Sequence, residues 1–185
     1  MRRLFVLLVS ILAAAGVTSP LSAGGNPAAA FVLKSRDLGS TYTFNAPSSQ
    51  AHTLREISTG ASPSMKRDLA EKWVAGMQTG FNSLTAERSV VSTADVFRTS
   101  DLGAVVRLFQ RRYVSLSRGK LSRTPAGAPG SNRFLIRGHI QSFVALLYVW
   151  QRGTKVLSVW QIATKASLRP HELFALARLQ DAKAR

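Results

Sequence analysis

The chain has 185 residues, 25 Lys and Arg against 9 Asp and Glu, and no cysteine. The missing cysteine excludes disulfides, thiolate metal sites and cysteine nucleophiles together, so an exported domain must hold itself by its core. A net charge of +16 selects anionic partners over cationic or neutral ones. Residues 1–30 read as a secretory signal. Arg2 and Arg3 precede an apolar core at 4–17, and small residues end at Ala23 and Ala30. That core is shorter than the roughly 20 residues a bilayer span needs. No Cys follows it, which excludes a lipid-anchored lipoprotein. The Arg-Arg-Leu-Phe start faintly resembles a twin-arginine signal, but the core is hydrophobic enough for ordinary secretion. Cleavage after Ala30 or Ala23 leaves one domain, 31–185, at the cell envelope or outside it, with no transmembrane segment and a charge of +14.

Asp37-Leu38-Gly39 reads as a turn before a short strand at 41–44, where β-branched and aromatic residues cluster. The polar run 45–62 reads as loop, with a turn of helix near 53–57. Ser62-Pro63 is a helix start, and the spacing of Leu69 and Trp73 predicts a helix over 63–72. Segments 76–84 and 87–99 read as two strands. Thr99 or Ser100 caps the next helix. Leu102, Val105, Val106, Phe109 and Tyr113 recur at three and four, the stripe of a buried helix face, with Arg107 and Arg111 on the wet side and Arg112 at its flank. Residues 115–133 read as a long basic loop, 134–138 as a short strand ended or bulged at Gly138, and 141–151 and 154–163 as two long strands. A helix over 170–184 closes the chain.

The two long strands are apolar on both faces. A two-residue turn at Arg152-Gly153 sets Val149 opposite Val156 and Trp150 opposite Lys155, within cation–π reach. Phe143, Ala145, Leu147, Val149, Trp160 and Ile162 then share one face; Val144, Leu146, Tyr148, Trp150, Leu157 and Val159 share the other. An antiparallel sheet with a wet face alternates apolar and polar residues. This one must be covered on both sides. The expectation is an α+β domain, an antiparallel sheet of about six strands layered with two to three helices. The alternative is that one face lines a ligand cavity walled by Tyr148, Trp150 and Trp160.

From Asp101 to Glu172 there is no intervening carboxylate, but there are twelve Lys and Arg. Arg107, Arg111, Arg112, Arg118, Lys120, Arg123, Arg133 and Arg137 make the candidate binding region, for an acidic lipid, teichoic acid or acidic glycan of the envelope. Nucleic acid is not expected, because no aromatic is interleaved to stack bases. No catalytic or phosphate-binding motif occurs. His52, His139 and His171 stand alone in sequence, so no catalytic residue, metal ligand or cofactor is nominated. Asp95, in the middle of a strand, is expected to pair with an Arg such as Arg98.

Asp95-Val96-Phe97-Arg98, Arg152-Gly153 and Gln180-Asp181-Ala182, in that order over residues 31–185, resemble a group of exported actinobacterial proteins. The order of elements is also similar to PsbP/Mog1-like and mycobacterial sensor-type extracellular domains. The resemblance implies an antiparallel sheet between helices and an extracytoplasmic address. It carries no catalytic signature. A binding domain for an anionic surface is the leading reading, and a carrier or sensor of a small apolar ligand the second.

Overall fold

The computed structural model describes residues 25–185; most of the segment read from the sequence as a secretory signal lies outside the described residues. Seven antiparallel strands form one sheet: β1 (Tyr42–His52), β2 (Trp73–Ser83), β3 (Arg88–Phe97), β4 (Lys120–Ser122), β5 (Ser131–Ile140), β6 (Phe143–Arg152) and β7 (Lys155–Ala163). Their spatial order is β1-β2-β3-β7-β6-β5-β4. Five helices accompany them: α1 (Ser35–Leu38), α2 (Leu54–Ile57), α3 (Pro63–Lys72), α4 (Gly103–Leu116) and α5 (Pro170–Lys183). The α+β architecture is the one expected.

Both sheet faces are dry. One carries Val90, Ala94, Leu146, Tyr148, Trp150, Leu157 and Val159 and is closed by Leu173, Phe174, Leu176 and Ala177 of α5. The other carries Val91, Leu147, Val149, Val156 and Trp160. It is closed by Val105, Val106, Phe109 and Tyr113 of α4 and by Leu69 of α3. The alternation fails in β6 and β7 because each strand feeds two cores.

Local chemistry sets the differences from the sequence reading. The hairpin turns on Gly153-Thr154, one position later than expected, so Arg152 faces Lys155 and Trp150 faces Leu157. Gly153, at the first turn position, has φ 56°, which favours glycine. The shift moves the partner of every residue by two, so the face of every side chain is as expected. Lys155 therefore lies over Phe31, 4.7 Å from the ring centroid, instead of over Trp150. β1 runs far beyond 41–44. Its polar stretch is shifted in register between Asn45 and Gln50, and side-chain bonds hold it there. Gln78 donates to the Ser48 carbonyl at 2.9 Å, and Ser49 Oγ accepts from the Gly80 amide at 3.0 Å. Gly80 makes this possible, since a Cβ there would stand 2.4 Å from Ser48 Cβ. β4 forms inside the segment read as loop. β5 continues through Gly138 because the turn after α4 lies flat on it: a Cβ at Gly138 would be 2.4 Å from the Ser117 carbonyl. Thr99 Oγ1 accepts from the Asp101 amide, one turn ahead of α4, whose own N-cap, Leu102, makes no side-chain bond.

Residues before Phe31 also pack against the sheet. Pro27–Ala30 form a 3-10 turn capped by Asn26, Ala28 is fully buried, and Asn26 Nδ2 donates to the Gly76 carbonyl at 2.9 Å.

Candidate functional site

Two regions collect the functional chemistry: a cationic edge and a small polar cleft. The edge is built by α4, β4 and β5. Arg107 and Arg111 stand four apart on the exposed side of α4. Arg118, at φ 45°, turns the chain from α4 into β4. Lys120 then pairs directly with Arg137 across the β4–β5 ladder, both exposed. Arg123 is exposed in the following loop, and Arg133 folds back onto the carbonyls of Ala128 and Gly130. Like charges directly opposite on a ladder destabilise it. Among the described residues no carboxylate forms an ion pair with any of these seven or with Arg112.

Two further cations of the carboxylate-free window, Arg152 and Lys155, are treated differently. Arg152 makes a bidentate pair with Asp181 of α5, at 2.8 and 2.6 Å, and Lys155 donates to the Ala184 carbonyl at 3.0 Å. The motif residues Arg152 and Asp181 thus meet in space. Gln180 reaches the Thr93 carbonyl at 2.7 Å. These motifs are structural clasps.

The three aromatic residues of the second reading separate. Tyr148 and Trp150 are fully buried and stacked, with ring centroids 5.2 Å apart and planes at 17°. Phe174 of α5 meets Tyr148 edge-on. The Tyr148 hydroxyl donates to the Pro129 carbonyl at 2.6 Å, and Trp150 Nε1 donates to Asp181 at 3.0 Å. Both are solid core. Trp160 faces the other way and forms the floor of the cleft.

That cleft opens between β1, β2, α2 and α4. It encloses about 450 Å³ counting its open mouth, but the centre of a water molecule can move through only about 30 Å³. His52, Glu56, Ile57, Phe109, Arg112 and Tyr113 stand around it with Trp160. Behind it, His52 Nδ1 lies 3.1 Å from Asp95 Oδ1, which also accepts from Trp73 Nε1 at 3.3 Å. Asp95 therefore pairs with His52, not with Arg98, which is exposed. Gly76 gives the pair its room: a Cβ there would be 2.2 Å from Asp95 Oδ1. Burial alone would lower the pKa of His52, but the Asp95 carboxylate overrides it and raises it above the usual imidazole value. Burial pushes the Tyr113 hydroxyl up to about 12. Arg112 donates to the Glu56 backbone carbonyl at 2.7 Å. Of the cleft, the sequence reading held only Arg112 and Trp160. His52 and Asp95 lie 43 positions apart, and only the β1–β2–β3 pairing joins them. The one signal available was a carboxylate in mid-strand. The described residues contain no cluster of His, Asp and Glu able to hold a metal ion.

No family model and no curated protein matches the chain. Among solved structures it is similar to the extracellular domain of PknH from Mycobacterium tuberculosis. The TM-score is 0.55 and the identity 12%, over 85% of this chain and 94% of that one. At that identity the likeness shows a shared α+β fold, in agreement with the fold expected from the sequence. No helix among the described residues is long and apolar enough to cross a membrane.

Proposed function

We propose that this chain is an exported, non-catalytic binding domain of the cell envelope whose α4–β4–β5 edge contacts an anionic surface or polymer. The observation that carries this is the Lys120–Arg137 pair. It sets two cations side by side on the outermost ladder, with Arg118 and Arg123 next along the chain and no carboxylate paired with them. An isolated domain gains nothing from that repulsion; an anion supplied from outside relieves it. The extracellular origin of the structurally similar PknH domain supports the address. Export by cleavage after Ala23 fits the turn at Pro27–Ala30, whose Ala28 is buried and which cleavage after Ala30 would remove. The mass of the secreted protein checks this: it should begin at Gly24, and a start at Phe31 rejects that site.

The binding reading is tested by co-sedimentation with vesicles containing phosphatidylglycerol, against vesicles of phosphatidylcholine alone. The anionic vesicles should retain the protein. Raising salt from about 0.1 M to about 1 M, which cuts the screening length from about 10 Å to about 3 Å, should release it. Each cation close to an anionic membrane contributes about 1 kcal/mol. The triple variant Arg118→Ser, Lys120→Ser, Arg123→Ser should thus bind about a hundredfold more weakly with unchanged thermal unfolding. Undiminished binding by that variant rejects the edge as the contact.

A further inference from the structure

The cleft beneath α4 is a different kind of site from the cationic edge. Each of its acidic groups has one oxygen engaged. Asp95 Oδ1 is shared by His52 and Trp73. Glu56 Oε2 accepts from the amide and the hydroxyl of Thr53 at 2.6 and 2.9 Å, as the cap of its own helix. Two of its donors keep free capacity. Tyr113 is only 7% exposed, and its hydroxyl, which is not among the fully enclosed polar atoms, has no hydrogen-bond partner among the described residues. Arg112 spends one N–H on the Glu56 backbone carbonyl and forms no ion pair with the Glu56 carboxylate, leaving the rest of its fork available. Donors that no protein group satisfies are free to meet an acceptor supplied from outside.

We propose that this cleft binds a small carboxylate, with its oxygens on the Arg112 guanidinium and the Tyr113 hydroxyl and its short apolar end against Phe109 and Trp160. The planar fork of an arginine matches a carboxylate. The Trp160 ring, edge-on to Tyr113 with centroids 5.0 Å apart, closes the floor. The narrow interior admits a ligand of a few heavy atoms and excludes an aromatic acid. His52, held by Asp95, stands at the rim of the same space and adds positive charge when protonated. The ligand class is therefore a short-chain carboxylate, not the bulky apolar molecule that a cavity beside Tyr148 and Trp150 would have taken.

The test is a titration of the full exported domain with sodium acetate, with sodium chloride at matched ionic strength as the reference. The readout is the indole N–H resonances of its three tryptophans. Acetate should shift the Trp160 signal saturably in the millimolar range, as suits so small a ligand. Trp150, packed under α5, should stay still. Tyr113→Phe keeps the ring and removes only the hydroxyl; it should weaken binding about five- to tenfold. Arg112→Gln should weaken it about thirtyfold or more. The triple variant of the cationic edge should bind acetate like the parent, which keeps this proposal separate from the surface reading. A Trp160 shift that is linear and no larger than chloride produces overturns it. So does unchanged binding by Tyr113→Phe, benzoate binding as well as acetate, or saturable binding of inorganic phosphate without acetate.

Discussion

The two faces of the sheet are closed by different chemistry. Under α5 the closure is stapled by ion pairs: Arg152 with Asp181, Lys183 with Asp37, and Arg88 with Glu172, whose other oxygen accepts from the Tyr42 hydroxyl. Under α4 it is made by aliphatic and aromatic packing, with His52–Asp95 set at the cleft and the remaining cations turned outward. The positive charge of this chain is thus of two sorts. Around α5, Arg152, Lys183 and Arg88 hold the fold through carboxylates, whereas among the described residues no cation of the α4–β4–β5 edge is paired with one.

The sharpest way to break that contrast is Asp181→Ala. Asp181 is 1% exposed and serves Trp150 and Arg152 at once. Its loss leaves a buried indole N–H and a guanidinium without an acceptor, and should cost about 3 kcal/mol in urea unfolding. Burial alone would raise the pKa of Asp181, but its bonds from Arg152 and Trp150 lower it below the usual carboxylate value. Its contribution is therefore complete above about pH 4 and lost as pH falls through the lowered folded value. The variant should show a shallower acid limb than the parent.

Gly130→Ala comes next. Gly130 has φ 78°, and a Cβ there would lie 2.3 Å from Trp150 Cδ1. Strain and clash together should cost about 2 kcal/mol, read as a lowered melting temperature. His52→Gln should cost about 1 kcal/mol at mildly acid pH. The His52 pKa is raised on folding, so its stabilisation is full below about pH 6.5 and lost as pH climbs through the folded value. Urea midpoints between about pH 5 and pH 9 should fall for the parent and stay flatter for the variant. The smallest effect belongs to Arg107→Ser with Arg111→Ser. These exposed, unpaired groups should change stability by no more than about 0.5 kcal/mol each.

What was legible in the sequence was set by periodicity. The stripe from Leu102 to Tyr113 and the two-faced strands β6 and β7 carry their burial in their own spacing, so the layers could be read directly. What was not legible depends on a partner distant in the chain. The polar stretch of β1 becomes strand only because Gly80 lets Ser48 approach and Gln78 reaches its carbonyl. β4 has three residues and no apolar alternation of its own. The hairpin register hinged on which residue took the positive φ, and only Gly153 does. The cationic edge was visible as composition, since a charge run needs no partner to be counted. The cleft was not, because His52, Asp95 and Tyr113 come from three separate elements.

The most direct measurement is a matched pair of triple variants, each losing three positive charges, in the anionic-vesicle assay. One is Arg118→Ser, Lys120→Ser, Arg123→Ser on the edge. The other is Arg36→Ser, Lys165→Ser, Arg178→Ser, three exposed cations outside it. The account predicts that binding falls about a hundredfold in the first and stays near that of the parent in the second. Equal losses in both would mean that total charge, and not the α4–β4–β5 edge, is what the partner reads.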